Sequence, residues 1–160
     1  MFNIMSGSIL EWDEYFMSLA LITAKRSKDP VTQVGAVICD KDHKVLSMGY
    51  NGFPKTLGRS NDETYSWKKP DKYLYVVHAE ENCILNGSTK DYKNCTMYST
   101  LFPCNKCTQS IIQVGISKVV FYTHKNLDTL EYQASLEMLS NAGVAIQKYN
   151  RKEKYINIEV

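Results

Sequence analysis

Two short stretches carry the residues best suited to chemistry, His78-Ala79-Glu80 and Pro103-Cys104-Asn105-Lys106-Cys107. Together they supply one imidazole, two thiols and one carboxylate. Three such donors around an open fourth position make a catalytic zinc site, whereas a structural site closes all four. Glu80 lies two residues past His78, so it can stand beside a metal without ligating it. Both stretches read as helix starts, with His78 to Asn86 ended by Gly87 and Cys104 to Val114 closed by Gly115. Pro103 is suited to the start of the second helix. A helix N-terminus offers free N–H groups and partial positive charge, which lowers thiol pKa values, and Zn2+ lowers them further. The C-x-x-C spacing sets both sulfurs on one side of the first turn. Two thiolates and a neutral imidazole then offset the charge of Zn2+.

The open position suits a water, whose pKa the metal brings to about 7. A hydroxide formed at neutral pH can attack an amidine-like carbon such as C4 of a cytosine ring. The attack needs a proton placed on the ring nitrogen and later one on the departing amine. Glu80 is the candidate shuttle, and such groups contribute roughly 10²–10⁴-fold in rate. The N–H groups of Ala79 and Glu80 suit a ring carbonyl, and backbone carbonyls near Thr100 to Phe102 suit the amino group. On the residues alone an alternative stays open: a structural zinc closed by Cys83, Cys95 or His124, in an interaction module without chemistry. Cys39, Cys83 and Cys95 otherwise read as small core residues.

These stretches need a scaffold. Glu11 to Ser27 reads as a helix with Trp12, Phe16, Leu19, Ala20 and Thr23 on one face, Ser8 as N-cap and Pro30 as the stop. Val34 to Cys39 and Lys44 to Tyr50 form a hairpin turning at Asp40 to His43. After Gly49 to Pro54 a long polar loop follows, to about Lys72, of the kind that serves as a lid or binding element or is disordered. It lacks Cys and His, so it offers no second metal site. Tyr73 to Val77 is an apolar-aromatic run into His78. Cys95 to Thr100, Lys118 to Tyr122 and Val144 to Lys148 are strands. Leu127 to Asn141 is a helix with Leu130, Ala134, Leu136, Met138 and Leu139 toward the core, ended by Gly143. The order α-β-β-α-β-α-β-α-β implies an α/β fold, a mixed five-stranded sheet with helices on its faces, antiparallel at the hairpin and parallel in the second half.

The 160 residues fit one domain spanning the chain, with a net charge of +2. The charges are interspersed, which argues against a dedicated nucleic-acid binder. Apolar runs are too short to cross a bilayer, and Met1 to Ser8 carries no secretory signal pattern. Five cysteines, two of them in C-x-x-C, fit a reducing cytoplasm better than a disulfide framework.

The spacing H-x-E…P-C-x-x-C is the signature of zinc-dependent deaminases. Beyond it, Ala24-Lys25-Arg26-Ser27-Lys28-Asp29-Pro30, Gln33-Val34-Gly35-Ala36, Gly49-Tyr50-Asn51-Gly52-Phe53-Pro54 and Leu101-Phe102-Pro103 make the chain resemble the deoxycytidylate (dCMP) deaminases of the cytidine deaminase-like superfamily. The resemblance runs from about Tyr15 to Tyr149. It implies a three-layer α-β-α sandwich and hydrolysis of dCMP to dUMP and ammonia, the feed for thymidylate synthesis. It implies that His78, Cys104 and Cys107 hold Zn2+ and that Glu80 shuttles protons. It places substrate against Lys72, Tyr73, Leu74, Tyr75, Val76, Val77 and Ala79, with Arg26, Lys28 and Asn51 toward phosphate and sugar and Lys125 as a further contact. Many members are homohexamers activated by dCTP and inhibited by dTTP, each with Mg2+; the implied regulatory loop is Tyr50, Asn51, Gly52 and Phe53. A monophosphate is doubly charged and Arg reads phosphate bidentately, which raises the functional weight of Arg26 and Lys28 over a solvated basic end that complements the helix dipole. A deaminase of free nucleosides or of RNA bases is the neighbouring reading. RNA would favour a basic, aromatic-lined surface, and only Lys68-Lys69 and the C-terminal tail offer concentrated charge.

Overall fold

A computed structural model of the chain describes residues 9–57, 65–125 and 127–150. Helix α1 (Trp12–Ala24) leads into the hairpin β1 (Gly35–Cys39) and β2 (Val45–Tyr50). A one-turn helix α2 (Lys72–Tyr75) precedes α3 (Ala79–Asn86), and β3 (Thr96–Leu101), α4 (Asn105–Gln113), β4 (Lys118–Thr123), α5 (Leu130–Asn141) and β5 (Ala145–Lys148) follow in alternation. The sheet order is β2-β1-β3-β4-β5. β1 runs antiparallel to both β2 and β3, whereas β3, β4 and β5 are parallel. The mixed sheet and its change of sense match the sequence expectation. Among the described residues no helix is long and apolar enough to cross a membrane.

Strand alternation assigns the two faces. Ala36, Ile38, Met97, Val119 and Phe121 meet Ala79, Cys83, Ile111 and Leu139 in one core. Val37, Cys39, Tyr98 and Val120 meet Phe16, Met17 and Ala20 in the other. Helices α3, α4 and α5 therefore cover one face and α1 the opposite one, giving three layers. β1 and the middle of β3 are buried throughout, as strands covered on both faces must be.

Gly49 decides how closely the site-bearing helix approaches. A Cβ at this position would sit 2.2 Å from the Cys83 N and 2.6 Å from the Ala79 carbonyl oxygen, both backbone atoms of α3. Only a residue without a side chain lets α3 lie against β2. Asn82 Nδ2 and Asn86 Nδ2 then donate to the outward carbonyls of Tyr50 and Met48, at 2.8 and 3.1 Å, and cover the sheet edge.

Several local expectations are corrected. Ser8 lies outside the described residues; helix α1 starts later, with Glu11 as N-cap and its N–H donating to Glu14 Oε2 at 3.1 Å. Its buried face is Phe16, Met17, Ala20 and Ala24, while Trp12 is 51% exposed and stacks on His43 of the hairpin tip, 4.0 Å between ring centroids. Thr129 caps α5, its side chain accepting from the Tyr132 N–H, so the helix starts at Leu130 and that leucine is 81% exposed. Gly87 ends α3 with negative φ; it is needed there because a Cβ would strike the Tyr92 hydroxyl. Gly115 and Gly143 have the positive φ expected of helix-terminating glycines. The apolar run before His78 contains α2, a turn too short to show a helical period.

Candidate active site

Parallel strands β3 and β4 point their C-terminal ends at one region, and α3, α4 and α5 present their N-termini to it. In open α/β sheets this is where ligands bind. His78 is the N-cap of α3 and Cys104 the N-cap of α4, both extended, and neither side chain caps its helix. Their donor atoms are thereby free to turn toward each other. Cys107, one turn on, is buried. Cys104 Sγ and Cys107 Sγ lie 3.3 and 3.4 Å from His78 Nδ1. Ligands bound at zinc distances with a tetrahedral angle would stand about 3.6 Å apart. The three donor atoms all fall within 4.8 Å of one another. Donor type and separation thus fit Zn2+, with His78 engaged through Nδ1. Cys83, Cys95 and His124 do not join the cluster; Cys39, Cys83 and Cys95 are buried, free thiols.

The hydrogen bond from Cys107, opposed by burial and helped by His78, draws Cys104 down to about 3. The same bond together with burial raises Cys107. His78 is raised, chiefly by its bond to Cys104. Glu80 is 4% exposed and receives a hydrogen bond from Ser99 Oγ at 2.8 Å on Oε1. Burial pushes its carboxyl up, against the pull of its own backbone N–H, His78 and Ser99.

Beside the cluster lies a cavity of about 340 Å3, within the usual range of about 300–1,000 Å3 for small-ligand sites. His78, Ala79, Glu80 and Cys104 form its floor, with Leu101, Phe102 and Pro103 along the strand end, Lys125 just after β4, and Thr129, Glu131 and Tyr132 from the start of α5. Of the run before His78, Lys72, Tyr73 and Val76 line it; Leu74, Tyr75 and Val77 do not. Leu74 faces outward from the single turn of α2, and Val77 is engaged with Gly52 through paired backbone bonds of 2.9 and 3.1 Å. That pairing ties the Tyr50–Phe53 loop to the chain entering His78, while Phe53 packs on Trp67, 4.3 Å between centroids.

Arg26 and Lys28 are exposed and do not line the cavity. The chain leaves α1 with alternate residues turned opposite ways, so Ser27 and Asp29 face in and the two cations face out. Asp29 is the residue that sequence reasoning missed. It was visible inside the R-S-K-D-P motif, yet nothing local says that a loop aspartate is buried. Its Oδ1 accepts from the N–H groups of Val31 and Thr32 at 2.9 and 3.1 Å. Its Oδ2 accepts from Lys72 Nζ at 2.8 Å and Asn51 Nδ2 at 3.3 Å. Asn51 in turn takes the Val34 N–H on Oδ1 at 2.8 Å. Lys72, Asp29 and Asn51 thus form one buried wall of the cavity. Tyr132, with its ring centroid 4.6 Å from that of Phe102, is another omission; it is one helical aromatic among eleven tyrosines, with no local signal.

The Lys72–Asp29 pair makes a stability prediction. Burial raises Asp29, but the Lys72 bond and the two backbone N–H groups outweigh it and leave the carboxyl below its ordinary 3.8. Its contribution is full above that value and fades as the pH falls through the depressed one. Lys72→Met strands a buried carboxylate and should cost about 3–5 kcal/mol at pH 7. In urea unfolding the gap to the parent protein should narrow toward pH 3; a gap unchanged with pH would contradict the ionic account.

A family model described as the cytidine and deoxycytidylate deaminase zinc-binding region matches residues 10–123. The chain belongs to this family and is a hydrolytic deaminase. It is 44% identical over 161 residues to a probable deoxycytidylate deaminase of Drosophila melanogaster, covering 94% of this chain and 78% of that one. It is 42% identical over 156 residues to the deoxycytidylate deaminase of Homo sapiens, covering 94% and 86%. Among solved structures, a dCMP deaminase from the cyanophage S-TIM5, in apo form, superposes with a TM-score of 0.68 at 25% identity over 89% of this chain and 100% of that one.

Proposed function

We propose that the chain hydrolyses dCMP to dUMP and ammonia. The observation that carries this reading is the buried Glu80 carboxyl beside the His78–Cys104–Cys107 donor set, at the floor of a cavity with Lys125 on its wall. The deoxycytidylate deaminases it resembles over nearly its whole length support the substrate. When bound to these three side chains, Zn2+ supplies Lewis-acid activation of a water. The cytosine ring enters along Leu101 to Pro103. Its carbonyl takes the N–H of Ala79, and its amino group donates to a backbone carbonyl at the end of β3. Glu80 receives a proton from the attacking water, delivers it to ring N3, and then helps protonate the departing amine. Asn51, held by Asp29 and Val34, faces the sugar.

The phosphate lies toward Lys125, the cation on the cavity wall beside the start of α5. Arg26 and Lys28, on the outside of the chain leaving α1, would contribute from beyond the cavity rim. The test is ammonia release from dCMP and deoxycytidine by the parent protein, Lys125→Ala and Arg26→Ala. Loss of a charged hydrogen bond is worth about 1.5–3 kcal/mol. Lys125→Ala should therefore lower kcat/KM for dCMP at least about tenfold more than for deoxycytidine. Equal losses on both substrates would remove Lys125 from the phosphate, and no turnover of dCMP by the parent protein would end the reading.

Activation by dCTP and inhibition by dTTP, each with Mg2+, belong to the same proposal. The Tyr50–Phe53 loop is the place for them because Gly52 and Val77 couple it to the segment entering His78. A homohexamer would cover the exposed Trp12, Ile22 and Met48. Buried cysteines without disulfide partners favour a cytoplasmic setting.

A further inference from the structure

Ser99 stands at the centre of the sheet, fully buried, where its strand has no use for a hydroxyl. Its neighbours in register are Ala36 on β1 and Phe121 on β4, both apolar. The alternation of β3 turns Met97 and Ser99 to the face covered by α3, and Tyr98 to the face covered by α1. Any small apolar residue would fill the position. Instead a hydroxyl donates to Glu80 Oε1 at 2.8 Å. A carboxylate offers two equivalent oxygens and turns easily about its last bond. A buried hydroxyl fixed on one of the two oxygens, beside the pull of the residue's own backbone N–H, removes that equivalence.

We propose that Ser99 is a positioning residue, which pins Glu80 Oε1 and thereby makes Oε2 the oxygen that carries the transferred proton. In the first transfer an O–H bond of the attacking water breaks and Oε2–H forms. In the second Oε2–H breaks and N3–H forms on the ring. Ser99 keeps donating to Oε1 in both protonation states, so the carboxyl need not turn between accepting and delivering. The hydroxyl moves no proton itself. It spares the group a rotation beside the cavity that Glu80 lines, the kind of preorganisation in which a small misplacement is costly.

This inference rests on the proposed reaction, and the experiment separates the two. Turnover of dCMP by the parent protein tests the reaction. Ser99→Ala and Ser99→Thr, compared with that parent, test the residue. Expected for Ser99→Ala is a kcat about tenfold lower, with KM for dCMP, zinc content and Tm close to the parent values. Ser99→Thr, which restores the hydroxyl, should recover most of the lost kcat. Four results would each overturn the proposal while leaving the reaction intact. They are a Ser99→Ala kcat within twofold of the parent, a loss confined to KM, a loss that follows zinc content or Tm, and a threonine variant no better than alanine.

Discussion

Replacing Glu80 with Gln is expected to leave a protein that still takes up zinc and binds dCMP but turns it over roughly 10²–10⁴-fold more slowly. The amide matches the carboxyl in size and can still accept from Ser99, so the buried pocket is conserved. What disappears is an oxygen able to take a proton and give it back. The loss should fall on kcat rather than KM, because the step removed belongs to the transition state and not to binding. Burial already lifts this carboxyl, which brings it closer to the proton affinities between which it must mediate. Ammonia release measured beside zinc content decides the matter. Turnover within tenfold of the parent, with zinc in place, would end the assignment of Glu80 as the shuttle.

Cys107→Ala should abolish both zinc binding and turnover at ordinary zinc concentrations. Cys107 sits one turn into α4, buried, with its sulfur against the donor atoms of His78 and Cys104. Removing it leaves one thiolate and one imidazole, too few for a zinc site. Structural zinc peptides with four ligands bind with about 10–16 kcal/mol, or about 2.5–4 kcal/mol per ligand, so one ligand lost weakens binding about 10²–10³-fold. The fold should survive, because its cores lie on the two faces of the sheet and draw on the metal cluster only at their edge. Chelation of the parent protein should accordingly remove activity while far-UV circular dichroism is retained. Unfolding on chelation would instead identify a structural metal.

The two experiments divide the labour within the site. Loss at Glu80 should spare the metal and stop the proton. Loss at Cys107 should stop both. The Lys72–Asp29 pair acts at one remove: it fixes Asn51 and the cavity wall, and its removal should show in stability first.

Short-range chemistry was legible in the sequence. The spacing of His78, Cys104 and Cys107, each at a helix start after a strand or apolar run, follows from local rules of capping and turn formation. So does the mixed sheet, because a two-strand hairpin must be antiparallel and alternating strands and helices favour parallel neighbours. Tertiary structure alone decided which polar groups are buried and against what. Arg26 and Lys28 share a motif with Asp29, yet only Asp29 faces in, since its direction depends on a lysine 43 residues away. Ser99 lay in a strand as one small residue among several. Its hydroxyl gained a partner only when α3 settled against the sheet over Gly49. Trp12 and Leu130 carried the right period for a core and still face outward, because periodicity sets the spacing of a helical stripe but not the angle at which neighbouring elements receive it.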